Sequence, residues 1–305
     1  MAFLYLLERM RTPFLNRVFL LLTQCGSEAA FLAIALFIFW CRNKREGYYL
    51  LTVGFFGEIL GQFLKIACRI PRPWVVDPNF EPVAAALGDA GGYSFPSGHT
   101  QNAVGTYIGV SRYEKMPILR MICITLAVLV PLSRMYLGVH TPLDVGAGAA
   151  ISFLLAFGFY PMFEKDARKG SCYPLFFAML LCSAAFVAYT MLHHFPADVD
   201  AVNLAEAQKN AWTFLGATVT ILPIYWFDEE FVGFETEAVW WAQGIKLIIG
   251  MALTLLIKEG LKAPLLALLG GHPAAHAIRY AAVVLFAGAV WPISFSWFSH
   301  LGKKR

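Results

Sequence analysis

Three short blocks of this chain carry the residue types needed to hold a tetrahedral oxyanion, attack it and protonate what leaves. They are Lys65 with Arg72-Pro73, then Pro96-Ser97-Gly98-His99, then Ser133-Arg134 followed by His140 and Asp144. An ammonium and a guanidinium together balance a phosphate dianion, and the planar guanidinium fork serves two oxygens at once. Lys65 and Arg72 are seven residues apart, about two turns on one face of an unbroken helix. Pro71 and Pro73 break a helix there, so Arg72 is expected to reach over the site from a loop. Read alone, the pair is better taken as two basic side chains snorkelling at a membrane edge; the other two blocks reverse that preference.

In the second block Ser97 is placed to cap a helix, with Gly98 and His99 in its first turn. The free N–H groups of that turn and the helix dipole favour an anion, and glycine lets the backbone come close to it. Alone, this is an ordinary cap. In the third block, Thr141-Pro142-Leu143-Asp144 reads as another helix start, with Thr as N-cap, Pro first and Asp third. His140 precedes it directly, with Asp144 close enough to accept a hydrogen bond from one ring nitrogen. That bond would fix the tautomer and leave the other nitrogen free to attack phosphorus. Arg134 adds a third positive charge. Asp144 is also a plain capping carboxylate, and one carboxylate can do both.

The elements that must position these groups are membrane helices. Hydrophobic residues make up 58% of the 305 and charged ones 14%, and the mean hydropathy is +0.60. A soluble domain carries about 25% charged residues. The net charge of +4 is too small to imply nucleic acid as a partner. Since a span needs about 20 mostly apolar residues, the sequence predicts helices near 26–41, 48–68, 98–112, 118–137, 142–163, 173–192, 211–227, 238–257 and 276–298, with 14–23 as a further short helix. No repeat or linker divides the chain, which reads as one membrane domain over 1–305. The first fourteen residues look amphipathic and suit the interface.

Lys/Arg-rich segments at 42–45, 112–120, 165–169 and 303–305 fall on one side if spans alternate, and that side is the cytoplasm. The long loop 69–96, the turn 133–141 and the loop 193–210 lie on the other, so all three blocks meet at one extracytoplasmic face. Trp240, Trp241, Trp291 and Trp297 suit an aromatic belt, and the pairs Gly57/Gly61 and Gly105/Gly109 suit close helix packing. The six cysteines show no metal-ligand spacing and read as free thiols.

Weaker signals remain. Glu58, Gln62 and Lys65 share one helix face, and an ionisable residue inside a span is a functional candidate; Glu58 reads as support for the site. His193 and His194 with Asp198 and Asp200 read as a solvated loop, since no recognised metal spacing joins them. Lys246, Lys258, Glu259 and Lys262 either line a polar seam or snorkel.

All three blocks resemble, in order and in every defining residue, the signature of the type-2 phosphatidic acid phosphatases, the lipid phosphate phosphatases, over about residues 50–150. The resemblance implies an all-α, polytopic membrane bundle with a six-helix core, about 17–195 here, plus about three added C-terminal spans over 196–305. Sphingosine-phosphate and glucose-6-phosphatase types look similar in layout. It implies Lys65, Arg72 and Arg134 as the phosphate clamp, aided by Ser97 and the Gly98 backbone. It implies His140 as the nucleophile that forms a phosphohistidine, Asp144 as its orienting partner, and His99 as the acid and then the base for water. Three fixed cations take the place of a metal, so no metal or cofactor is implied. The expected partners are a lipid phosphate and the bilayer, and a homo-oligomer stays open. The expected location is a bacterial plasma membrane. Polyprenyl diphosphate is the first substrate expected, followed by phosphatidic acid, phosphatidylglycerol phosphate and a sphingoid-base phosphate. A transporter or scramblase that keeps the motifs for binding is the rival. Binding alone needs only the cations, so the retained His99 and the His140–Asp144 pair weigh against it. Vanadium haloperoxidases use a similar constellation but resemble soluble proteins.

Overall fold

A computed structural model describes residues 1–164, 167–197 and 199–301. Lys165, Asp198 and the tail Lys303–Arg305, used above for topology or as loop residues, lie outside the described residues. Among the described residues there are helices and no strands. The chain forms two compact units, Met1–Ala35 with Tyr49–Pro161, and Leu36–Tyr48 with Met162–Arg305.

The first unit is built from α1 (Ala2–Arg9), α2 (Pro13–Gln24), the first half of α3 (Glu28–Cys41) and most of α4 (Lys44–Cys68). The short α5 (Pro73–Val76), then α6 (Gly98–Tyr113), α7 (Pro117–Tyr136) and α8 (Pro142–Phe159) complete it. Its centre is α6, packed on α7 and α8. Thr100, Gln101, Asn102, Thr106 and Ser111 of this helix are buried, so polar side chains face protein rather than lipid. Buried polar groups need partners, and Gln101 Nε2 donates to the Gly57 carbonyl at 3.1 Å. Three of the four paired glycines lie where α4 and α6 touch: a Cβ on Gly61 would strike the Gln101 side chain, one on Gly105 would lie 3.2 Å from Val53 Cγ1 and one on Gly109 2.7 Å from Leu50 Cδ2, whereas Gly57 faces Ser152 and Leu155 of α8.

The helix ends that carry the blocks have local causes. Ser97 caps α6 by accepting from Thr100 N. Thr141 and Asp144 form a reciprocal capping box at the start of α8, with Pro142 in the first position. Helix α4 stops because Arg69 takes a left-handed backbone, φ +52°, a conformation that ends helices.

The second unit holds the rest of α3, the start of α4, α9 (Tyr173–Leu192), α10 (Ala201–Phe227), α11 (Trp240–Gly260) and α12 (Lys262–Leu268). It closes with α13 (Ala274–Leu285), a π-helical turn, α14 (Trp291–Ile293) and α15 (Phe295–His300). Helix α10 packs on α9 and α13, and Gly216 permits that approach, because any Cβ there would collide with the Ala277 carbonyl. Lys246 is buried, donating to the Thr236 carbonyl at 3.1 Å and lying 4.4 Å over the Phe295 ring. It therefore does not snorkel. Lys262 and Glu259 are exposed.

The span count departs from the nine expected. Among the described residues six helical stretches are long and apolar enough to cross a membrane, and a seventh counts if α2 and α3, bent by 45° at their junction, form one span. Helices α6 and α10 exist at the expected places but are not among them. Both bury polar side chains in their own unit, Gln101 and Asn102 in α6 and Thr218 in α10, which lowers their hydropathy. The expected loop 193–210 is also shorter, since Asp200 caps α10 ten residues early by accepting from Asn203 N at 2.8 Å.

Candidate active site

All of the candidate residues lie in the first unit, where the C-terminal ends of α4 and α7 meet the N-terminal ends of α6 and α8. Lys65, in the last turn of α4, donates to the carbonyls of Tyr93 at 2.9 Å and Pro96 at 3.0 Å. Arg72 caps α5 and is 6% exposed. It donates to the carbonyls of Gly92 (Nε, 3.0 Å), Gly91 (Nη2, 2.6 Å) and Val139 (Nη1, 2.9 Å). The two cations thus clasp the backbone that leads into the second block, and Arg72 also reaches the turn of the third.

The guanidinium also reaches His140. Arg72 Nη1 lies 2.9 Å from His140 Nε2. Because a guanidinium only donates, Nε2 accepts and the ring proton sits on Nδ1. That nitrogen faces Ser94 Oγ at 3.4 Å and Asp144 Oδ2 at 3.7 Å. The second distance exceeds a hydrogen bond, so the direct His140–Asp144 bond expected from the sequence is replaced by a relay. Ser94 donates to Asp144 Oδ2 at 2.7 Å, and the Thr141 N–H donates to the same oxygen at 2.7 Å. Ser94, His140 and Asp144 are all buried. The Asp144 carbonyl accepts from Ser97 N at 3.0 Å, which ties the second block to the third.

Arg134 is 1% exposed and holds the opposite wall. It donates to Thr23 Oγ1 at 2.9 Å and more loosely to the Asp89 carbonyl at 3.4 Å, while its Nε has no protein partner. His99 Nε2 is likewise buried without a partner. His99 lies within electrostatic reach of Arg134, Arg72 and Lys65. A Cβ on Gly98 would meet nothing nearer than Glu58 Oε1 at 4.0 Å, so packing does not demand glycine there. Glu58 stands apart from the cations' hydrogen bonds and accepts from Gln62 at 3.5 Å.

Burial, reinforced by Arg72, Arg134 and Lys65, pushes the His140 pKa well below its usual 6.5, against the pull of Asp144. A lowered histidine pKa keeps the ring neutral as pH falls through 6.5, and a neutral ring retains a lone pair. Among the described residues no three His, Cys, Asp or Glu side chains come together as a metal site, and His193, His194 and Asp200 are exposed.

Sequence reasoning missed Ser94 and the partners of Arg134. Ser94 stands only three residues before Ser97, and adjacency to the block was its one signal. Thr23 comes from α2, far away in the chain, and left none.

The sequence profile of the PAP2 superfamily matches residues 45–168, which contain every block. A second profile, PAP2 superfamily phosphatase, transmembrane extension, matches residues 212–304. The chain is 32% identical over 173 residues to phosphatidylglycerophosphatase B of Bacillus subtilis, a match covering 52% of this chain and 80% of that protein. The chain belongs to the PAP2 superfamily. This PAP2 protein is also 31% identical over 147 residues to an undecaprenyl-diphosphatase of Sulfolobus acidocaldarius, covering 47% of its own length and 68% of the relative. Sphingosine-1-phosphate phosphatase 2 of Mus musculus is 25% identical over 256 residues, 77% of this chain and 69% of that one. The PAP2 chain is an integral membrane phosphatase, and its site lies wholly within the PAP2 match.

Proposed function

We propose that this PAP2 phosphatase hydrolyses a phosphate monoester or diphosphate of a membrane lipid through a phosphohistidine on His140. The observation that carries the reading is the His140 ring, held as its Nδ1–H tautomer by Ser94 and Asp144, with Nε2 turned to the Arg72 fork. Substrate phosphate would take over the Arg72 hydrogen bond and leave the Nε2 lone pair free. Attack on the terminal phosphorus forms the N–P bond as its bond to the leaving oxygen breaks (the lipid alkoxide of a monoester, the bridging oxygen of a diphosphate), and His99 gives that oxygen its proton. Water then attacks phosphorus, His99 takes its proton, the N–P bond breaks and inorganic phosphate departs. Lys65, Arg72, the unpartnered Arg134 Nε and the first-turn N–H groups of Gly98 and His99 stabilise the transferring oxygens. Ser97 holds that turn in place, and Glu58 supports it from below.

These fixed cations supply the charge compensation for the reaction. Purified protein should therefore release phosphate from lipid phosphates with EDTA present, and orthovanadate should inhibit by mimicking the five-coordinate transition state. Activity lost to EDTA and restored by Mg²⁺ would sink the metal-free reaction. Polyprenyl diphosphate leads the substrate panel, and the likeness to an undecaprenyl-diphosphatase supports that order. Phosphatidylglycerol phosphate follows, on the likeness to phosphatidylglycerophosphatase B. Phosphatidic acid and a sphingoid-base phosphate complete the panel. Release from none of them would end the lipid reading.

The site is proposed to face outward from a bacterial plasma membrane. Arg112 in the last turn of α6, Lys115 in the loop after it and Arg120 in the first turn of α7 lie at the helix ends opposite the site, and basic loops favour the cytoplasm. In a background without native cysteines, a membrane-impermeant thiol reagent on intact cells should label Ala85→Cys but not Lys115→Cys. The reverse pattern would put the site on the inner leaflet.

A further inference from the structure

The second unit buries a cation that no reaction step uses. Arg279 lies in the second turn of α13, on the face that this helix buries with Ala275 and His276. It is 6% exposed. Its Nε has no hydrogen-bond partner, and its guanidinium meets only the ring of its neighbour Tyr280, 5.0 Å from the centroid. No carboxylate among the described residues pairs with it. The groups around it are basic: His276, 9% exposed, lies within electrostatic reach of Arg279, of Lys209 on α10 and of Lys262 on α12. The acid at the edge is Glu206, which is about half exposed and already 3.5 Å from Lys209. One turn along α10 from Lys209, the Trp212 Nε1–H is also buried without a partner, and its ring meets that of His272 edge-on at 5.9 Å.

Snorkelling does not account for this arrangement. A snorkelling arginine extends along lipid to the interface and exposes its head, whereas Arg279 is 6% exposed and its Nε is buried. An unpaired charge held inside a membrane bundle is costly and is normally matched by an opposite charge. Two buried donors of fixed direction, backed by two lysines and a histidine, match a group with several anionic oxygens.

We propose that Lys209, Trp212, Lys262, His276 and Arg279 form a second anion site, in the transmembrane extension, that holds a phosphate group. That group is either the headgroup of an anionic phospholipid or free inorganic phosphate. Arg279 lies about 8 Å along α13 from its start, a depth that suits a headgroup at the edge of the hydrocarbon.

The test is thermal unfolding of the purified full-length protein in detergent, wild type beside Arg279→Met. With no added anion the variant should unfold at the same temperature or higher, because it loses an uncompensated buried charge. Phosphatidylglycerol near saturation should raise the wild-type midpoint by about 4 °C or more and leave Arg279→Met unmoved, with phosphatidylcholine moving neither. If inorganic phosphate reproduces the shift and phosphatidylglycerol does not, the site takes free phosphate. The double variant Lys209→Gln with Lys262→Gln changes two side chains at the edge of the cluster and should lose most of the same shift, which keeps the test open if Arg279→Met does not fold. Equal shifts in wild type and in every variant would assign the anion to the catalytic site and overturn the proposal. So would no shift with either probe.

Discussion

His140→Ala is expected to cut phosphate release by about four orders of magnitude or more, as removal of a nucleophile does elsewhere. It should also abolish any phosphate trapped covalently on the protein after acid-free denaturation. The size of the effect follows from the geometry. His140 Nε2 is the ring nitrogen facing Arg72, 2.9 Å from its Nη1. Ser94→Ala belongs to the same experiment. It removes the hydroxyl that passes the orienting contact from His140 Nδ1 to Asp144 Oδ2, 2.7 Å from Ser94 Oγ. A loss of about 10- to 100-fold in kcat is expected, with KM almost unchanged, because Ser94 does not touch phosphate in this scheme. Ser94→Thr should recover part of it. Full activity in His140→Ala would remove the phosphohistidine, whatever the substrate is.

His99→Ala is expected to slow lipid phosphate monoesters by about 10²- to 10⁴-fold, and a lipid diphosphate or an activated aryl phosphate far less. The departing lipid oxygen is a poor leaving group and needs a proton in the transition state; a nitrophenolate leaves without one. His99 Nε2 is buried without a protein partner, so its hydrogen-bonding capacity is free for the substrate. Burst kinetics with the aryl phosphate give a second reading. If His99 also activates water, the variant should accumulate phosphoenzyme while the first step stays fast. Equal losses on both substrates, with no accumulation, would show that His99 does something other than proton transfer.

Much of this arrangement was legible in the sequence because it depends on short-range rules. Ser97 before Gly98, and Thr141-Pro142 before Asp144, announce helix starts through capping chemistry that acts over three residues. The apolar stretches gave α7, α8 and α9 almost to the residue, since lipid-facing helices carry their signal along their whole length. Helices α6 and α10 were found by position but lack the length or apolarity that marks α7, α8 and α9, because α6 has only 16 residues and a helix wrapped by its own unit can spend its surface on Gln101, Asn102 or Thr218. Least legible were contacts between distant segments. Thr23 on Arg134 and Ser94 between His140 and Asp144 follow no period, and the sequence showed the histidine and carboxylate without the hydroxyl between them. Arg279 was passed over because a single basic residue near a helix start resembles every snorkelling arginine.

The hold of Lys65 and Arg72 on Tyr93, Pro96, Gly91, Gly92 and Val139 goes entirely through main-chain carbonyls. A carbonyl is the same whichever side chain it belongs to. Tyr93 and Phe95 can therefore change side chains over generations without loosening the cations that define the chemistry, while Gly92, at φ +68°, and Ser94, bonded to Asp144, are held to their types. Descendants of one ancestral chain are then free to drift toward different lipid tails and headgroups while the reaction itself stays put, and one catalytic arrangement can seed a family of enzymes with unlike substrates.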